Sequence, residues 1–359
     1  MTDKRDTSIK YAPIIIPTLC RYEHFRRCVE SLKNNTWAEF TDVYIGLDYP
    51  AKESHRVGYE RIKEYLQGDF SAFRSFNVIE QKVNIGSFAN SRSLVDACSM
   101  NHDRYIYAED DLEFSPDFLQ YMDMALQYYE DDESVVAVCG YSYPINWIAN
   151  SACTVVKQNF NGSAWGRGYW INKRNLLLKY LRPNGLSKDF SIAYRTHRFD
   201  KMMDYAVKHY VEFCETGWSG EKGFLNGSTD IAMRIYPAVK DKYLIMPLIS
   251  KVRNHGYDGS GLYCQQIECN EDGDFCVDNY SFSKQPIDES KTFQLIEDTA
   301  FDMKANRDLL NAFDRVSPEE MKDIWKRAKR IALLGRYGGL LFTCKKVVKK
   351  AAKLIGIIR

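Results

Sequence analysis

Long apolar runs are missing from this 359-residue sequence. Spanning a bilayer as a helix takes about 18 or more consecutive apolar residues, and no such stretch is present. The polar start MTDKRDTSIK leads into no secretory hydrophobic region, so the expectation is a chain without leader or span. Low-complexity tracts and glycine periods are absent as well, which excludes collagen-like and compositionally disordered classes. The ten cysteines, at 20, 28, 98, 139, 153, 214, 264, 269, 276 and 344, are too scattered for a disulfide scaffold. Without a leader they read as reduced thiols in a cytoplasm. Cys264, Cys269 and Cys276 cluster, but their spacing matches no zinc pattern, and buried or loop thiols is the plainer reading.

Net charge is nearly absent too, at +1. That balance conceals an asymmetry. From Met321 to Arg359 there are twelve Lys/Arg and one acid, Asp323, so the other 320 residues carry −10. An acidic body with a basic end makes two separate functional statements.

What is present is alternation. Tyr11–Leu19 is an isoleucine-rich run, as for a strand buried on both faces. Arg21–Leu32 then places Phe25, Cys28, Val29 and Leu32 on one helical stripe. Strands are expected at Asp42–Leu47, Phe76–Glu80 and Arg104–Ala108, and helices at His55–Leu66 and Ser91–Met100. Ser115-Pro116-Asp117 reads as a helix start with Ser115 at the N-cap. This order predicts an α/β fold: a mostly parallel central sheet with helices on both faces. Ligands of such sheets sit beyond the carboxyl ends of the strands. Thr18, Asp48, Asn84 and the triplet Glu109-Asp110-Asp111 all fall there.

The triplet is the sharpest chemical feature. Adjacent carboxylates repel unless a cation or strong donors compensate. Hard divalent ions such as Mg²⁺ take oxygen ligands and keep waters and substrate phosphates in their shell. A solvated acidic turn is the alternative, and Asp131-Asp132-Glu133 reads as one. The place of Glu109–Asp111, between a buried strand and a capped helix, favours the metal and sugar reading.

Four segments together resemble a GT-A-fold (Rossmann-like) glycosyltransferase of the inverting family 2 type: PIIIPTLCRYEHFRRCVESL, the strand ending at Asp48, NIGSFANSRS, and YIYAEDDLEFSPDF. The last is similar to the N-acetylglucosaminyltransferase I group. NGSAWGRGYW is similar to a segment of bacterial surface-polysaccharide transferases, and STDIAMR to the segment carrying the catalytic carboxylate. The similarity covers residues 11–260. It implies that Thr18 and Arg21 line a nucleotide pocket and that Asp48 bonds the base. Asn84 and Gly86 would lie along the nucleotide. Asp111 would hold Mn²⁺ or Mg²⁺ on the diphosphate of a sugar nucleotide, UDP-linked in the family. Asp110 and Glu109 would contact ribose and sugar, and Asp230 would be the base, with Glu221 as its rival. The implied acceptor is a glycan or lipid-linked oligosaccharide, met on the cytoplasmic face of the inner membrane.

Further residues carry open alternatives. Gly217–Gly227, with Trp218 and Phe224, reads as a closing loop or a plain surface loop. Trp165 and Gly166, with Tyr169 and Trp170, either line a sugar site or pack in the core. His255 and Arg253 are candidate metal or phosphate contacts, or structural residues. The expected organisation is a catalytic domain over 1–315, with a nucleotide-sugar half (11–130), an acceptor half (131–260) and a loop and helix (261–315). A basic amphipathic tail over 316–359 follows. Its apolar stripes, Met321 to Ala332 and Leu340 to Ile358, alternate with lysines and suit an anionic membrane surface rather than nucleic acid; a helix pair packed on the catalytic domain is the alternative. A catalytically silent nucleotide-sugar-binding or scaffold protein is the other function class. A pyrophosphorylase is disfavoured, since no glycine-rich, basic N-terminal loop is present.

Overall fold

The computed structural model describes residues 8–180, 201–215, 233–261, 282–314 and 316–335. Asp230, Glu221, Trp218, the cysteine cluster 264–276 and the tail beyond 335 lie outside the described residues.

The centre is an eight-stranded sheet in the order β3-β2-β1-β4-β8-β6-β9-β7. Its strands are β1 (Ile14–Thr18), β2 (Asp42–Leu47), β3 (Ser75–Glu80), β4 (Arg104–Tyr107), β6 (Val135–Cys139), β7 (Val155–Gln158), β8 (Arg167–Trp170) and β9 (Tyr243–Pro247). The pairs β1–β2, β2–β3, β1–β4 and β6–β9 are parallel, while β8 runs antiparallel to β4 and β6, and β7 to β9. The amino-terminal half is therefore the expected Rossmann-like unit. The other half is mixed.

β1 is buried on both faces because every second residue serves a different layer. Ile14 and Ile16 meet Phe25, Cys28, Val29 and Leu32 of α1 (Tyr22–Lys33), and Tyr59 and Ile62 of α2 (Arg56–Tyr65) lie in the same cluster. Ile15 meets Leu94, Val95 and Cys98 of α3 (Gly86–Cys98) on the opposite side. Helix α3 starts at Gly86, five residues earlier than its apolar pattern suggests; its first turn, Gly86-Ser87-Phe88-Ala89, is largely exposed and adds nothing to the buried stripe.

Two local expectations are corrected. Helix α4 runs Phe118–Tyr128 with Asp117, not Ser115, at its N-cap. Ser115 instead turns back, its Oγ donating to Asp117 Oδ1 at 2.8 Å. The other Asp117 oxygen takes the buried Lys251 ammonium, which also reaches Asp288 at 2.7 Å. The second correction concerns the element after the acidic triplet, which is not the capped helix but β5 (Leu112–Phe114), paired antiparallel with β10 (Val252–Asn254).

Helix α5 (Ile171–Tyr180) follows β8, and α6 (Asp204–Glu215) and α7 (Met303–Asp314) cover the second core with α8 (Pro318–Gly335). Met321, Ile324 and Ala328 of α8 are buried in that core, with Trp325 and Ile331 packed against it. Lys208 of α6 pairs with Glu320 at 2.7 Å. Residues 321–331 of the first apolar stripe of the expected tail thus pack on this core. No helix among the described residues is long and apolar enough to cross a membrane.

Candidate functional site

The carboxyl ends of β1, β2 and β4 converge, and the sheet's own hydrogen bonds hold them together. Thr18 carbonyl accepts from Asp48 N at 2.9 Å, and Ile15 carbonyl from Ala108 N at 3.0 Å. Thr18, Arg21, Asp110 and Asp111 meet at this edge. Thr18 Oγ1 donates to Asp110 Oδ2 at 2.8 Å, and the Arg21 guanidinium donates to Asp110 Oδ1. The same guanidinium lies 2.8 Å from Asp111 Oδ2. Both oxygens of Asp110 are therefore engaged. Asp111 Oδ1 is buried with no hydrogen-bond partner.

Electrostatics follow from that geometry. Burial raises the Asp111 carboxyl above its usual range, Arg21 pulls it down, and the neighbouring Asp110 charge raises it again. Arg21 is itself raised: burial lowers it, but Asp110 and Asp111 outweigh that. An orphaned acceptor in a buried, acid-rich corner is unusual in native structures and calls for an explanation. A hard cation meets the chemistry of this oxygen set.

Gly256 frames the same carboxylate. A Cβ built there would overlap Asp111 Oδ2 and stand 2.9 Å from Asp111 Cγ. The β5–β10 pairing creates this approach, since His255 N donates to Asp111 carbonyl at 2.9 Å and Gly256 N to Asn254 Oδ1 at 2.6 Å. Among the described residues no group of three or more His, Cys, Asp or Glu could hold a metal alone. A cation held through Asp111 would have to bring most of its ligands with it, as waters and phosphates.

The other expected residues are placed as follows. Asp48 is buried, and its carboxylate accepts from Tyr49 N (2.9 Å), Ile85 N (3.0 Å), Gly86 N (2.9 Å) and Asn84 Nδ2 (3.1 Å). It thereby caps α3 and holds the 84–86 turn beside the site. Gly86 has φ +80, a conformation that glycine adopts freely. Glu109 is half-buried at the end of β4. His255 Nε2 lies 2.6 Å from Glu113 Oε2, and Arg253 Nη1 lies 3.2 Å from the same oxygen. The structure thus commits both His255 and Arg253 to Glu113. The His255 hydrogen bond is the main force holding the Glu113 carboxyl below its ordinary range.

Trp165 is half-buried in an aromatic cluster with Tyr141 (centroids 4.5 Å apart), Phe282 (5.4 Å) and Tyr257 (5.8 Å). Tyr169 and Trp170 are core residues. Gly166, at φ +62, lies so close to Val252 that a Cβ would meet its Cγ2 at 2.9 Å. Arg167, beside it, is fully buried, with Nε on Ser163 carbonyl at 2.6 Å.

Several site residues were not foreseen. His24 of α1 lies 2.8 Å from Asp258 Oδ2, which ties the 255–260 segment to α1. Burial raises the Asp258 carboxyl, but Ser260 and then His24 bring it down to about 2. Gly256 and Tyr257 also belong here; a glycine following Asn-His at a strand end was their one visible signal. At the opposite, amino end of the sheet lies a cavity of ≈ 470 Å³ lined by Lys10, Arg74, His102 and Arg104. Lys10, Arg74 and Arg104 pair there with Glu130, Asp42 and Asp103, three cations against three acids.

No family model matches the sequence, and no curated protein matches it. Among solved structures, the chain is similar to a mannosyltransferase from Pyrobaculum calidifontis in complex with GDP-Man and Mn²⁺. That likeness is 12% identical, with TM-score 0.33, over 47% of this chain and 46% of that one. It is also similar to S. aureus TarS, at 12% identity and TM-score 0.32, over 48% of this chain and 30% of that one. TarS 1-349 in complex with UDP-GlcNAc gives 14% identity and TM-score 0.32, over 47% of each chain. The matched part spans less than half of each of these proteins.

Proposed function

We propose that this protein is a metal-assisted GT-A glycosyltransferase that moves a sugar from a nucleotide diphosphate donor, UDP-linked in our reading, to an acceptor hydroxyl with inversion. The supporting observation is the buried Asp110–Asp111 pair at the carboxyl end of β4, with Asp111 Oδ1 unpartnered and Gly256 shaped around it. Asp111 would hold the cation. When bound, that cation supplies Lewis-acid stabilisation of the departing diphosphate.

The chain's own residues do the rest. Asp48 fixes the turn of Asn84 and Gly86, so the nucleotide meets a preset wall. Thr18 fixes Asp110, and Glu109 with Asp110 faces the ribose and sugar. Trp165 and its aromatic neighbours offer an apolar wall that excludes water from the transfer. Asp230 would take the proton of the acceptor hydroxyl from the far face, a role that comes from the family resemblance. The acceptor class, a glycan or lipid-linked oligosaccharide of bacterial surface polysaccharide synthesis, comes from it too.

Purified protein given a panel of UDP- and GDP-sugars with Mn²⁺ should slowly hydrolyse one donor. Asp111→Ala should remove that activity by about a hundredfold or more, the scale of a transition-state charge contact. Release unaffected by Asp111→Ala would sink the role given to Asp111, and no release from any donor together with no Mn²⁺-dependent UDP binding would leave a scaffold protein as the reading.

We infer further that the tail docks on an anionic leaflet. Seven Lys/Arg lie between residues 336 and 359, interleaved with apolar residues. At about 1 kcal/mol per basic residue near such a surface, reversible attachment follows. Because α8 is core, the clean deletion starts at 336 and not 318. That deletion should abolish co-sedimentation with phosphatidylglycerol vesicles, and unchanged sedimentation refutes the docking.

A further inference from the structure

Arg21 occupies the place of greatest negative charge in the site. One nitrogen of its guanidinium touches both Asp110 Oδ1 and Asp111 Oδ2. Its side chain is 21% exposed, whereas those of Asp110 and Asp111 are 8% and 5% exposed. Arg21 sits just before α1, on the loop that leaves β1, so it reaches the carboxylates from the open side. The single vacant position is Asp111 Oδ1, on the same carboxylate that the guanidinium already grips.

Resting on the proposed sugar-nucleotide reading, we propose that Arg21 is a positioning residue that makes cation binding conditional on the diphosphate. In the substrate-free protein Arg21 is the counter-ion of the aspartate pair. A divalent cation at Asp111 Oδ1 would stand beside that guanidinium, like charge against like charge with little water between. A diphosphate arriving at the carboxyl ends of β1 and β4 gives the guanidinium a second partner, for which its planar fork is suited. Arg21 then turns from carboxylate to phosphate, and both oxygens of Asp111 become available together. The nucleotide and the cation therefore favour entry together, and each binds only weakly alone. By linkage, each raises the affinity of the other by the same factor.

The test is Mn²⁺ binding to the full chain, read from the free-ion EPR signal, with and without UDP, for the wild type, Arg21→Gln and Arg21→Lys. The wild type should bind Mn²⁺ weakly alone, and UDP should tighten it within the range of about 5- to 150-fold typical of coupled sites. Arg21→Gln should bind Mn²⁺ alone more tightly than the wild type by a factor in that same range, and lose most of the UDP effect. Arg21→Lys, which keeps the charge, should stay weak alone. A second readout needs no substitution: in ¹⁵N-arginine-labelled protein the Arg21 Nε–H resonance should move on adding UDP with Mg²⁺, and stay in place with Mg²⁺ alone. Wild-type Mn²⁺ binding that is already tight without UDP, or an Arg21 resonance unmoved by UDP and Mg²⁺, overturns the proposal while leaving the transferase reading intact. No Mn²⁺ binding to any variant, with or without UDP, removes the transferase reading on which it rests.

Discussion

Replacing Asp123 with asparagine stabilises this protein at neutral pH. Asp123 lies on α4, fully buried, with Oδ1 accepting from Ala12 N at 2.8 Å and Oδ2 without a partner. Burial pushes its carboxyl up to about 8, and the Ala12 amide and Arg104 only partly oppose this. An unfolded aspartate titrates at about 3.9. Between these values the native state holds a proton that the unfolded state has released, so native stability falls as pH rises from about 4 to about 8. At about 1.4 kcal/mol per pH unit, the loss at pH 7 is at most about 4 kcal/mol. The amide keeps the acceptor for Ala12 and never ionises. Urea melts should show Asp123→Asn more stable than wild type at pH 7, with the gain shrinking towards zero near pH 4. A gain independent of pH, or a loss at pH 7, contradicts this account of the buried acid.

The second large effect belongs to Gly256. Alanine there cannot be absorbed by a floppy neighbour, because the overlapping atoms belong to Asp111, which is buried and ion-paired to Arg21. Asn254 Oδ1, at 3.2 Å from the added Cβ, limits escape on the other side. The carboxylate must shift, and shifting a supporting contact of a metal ligand typically costs about 10- to 100-fold in metal affinity. The fold should lose a comparable amount, about 1–3 kcal/mol for local overpacking, which leaves the protein folded. Calorimetric titration should therefore show Gly256→Ala folded but at least about tenfold weaker for Mn²⁺ with UDP. Wild-type affinity in that variant would separate Gly256 from the site.

Much of this was legible beforehand, for a physical reason. β1, β2 and β4 are buried runs with period-two demands on both faces, and α1 carries a clean apolar stripe, so pattern alone locates them. Asp48 and the acidic triplet were found because they end those strands. What pattern could not show is contact at long sequence separation. β5 and β10 are three residues each, too short for any periodicity, yet their pairing brings Gly256 against Asp111 from some 145 residues away. The same pairing turns His255 and Arg253 towards Glu113, where isolated residue types had suggested metal or phosphate. Amphipathicity in α8 was read correctly as a stripe, but a stripe does not say what covers it; the helix α6 does. Trp165 and Arg167 look alike in a motif, and only packing distinguishes the half-buried ring from the fully buried cation.

The central claim is that Asp111 binds a cation together with a nucleotide diphosphate. Its most direct test is calorimetric titration of UDP into the wild type and Asp111→Asn, each with and without Mn²⁺. The account predicts binding by the wild type that depends on Mn²⁺, and loss of that dependence in Asp111→Asn, which keeps the side chain's size while removing its charge. UDP binding that is absent under every condition, or equal in both proteins with Mn²⁺ present, would contradict it.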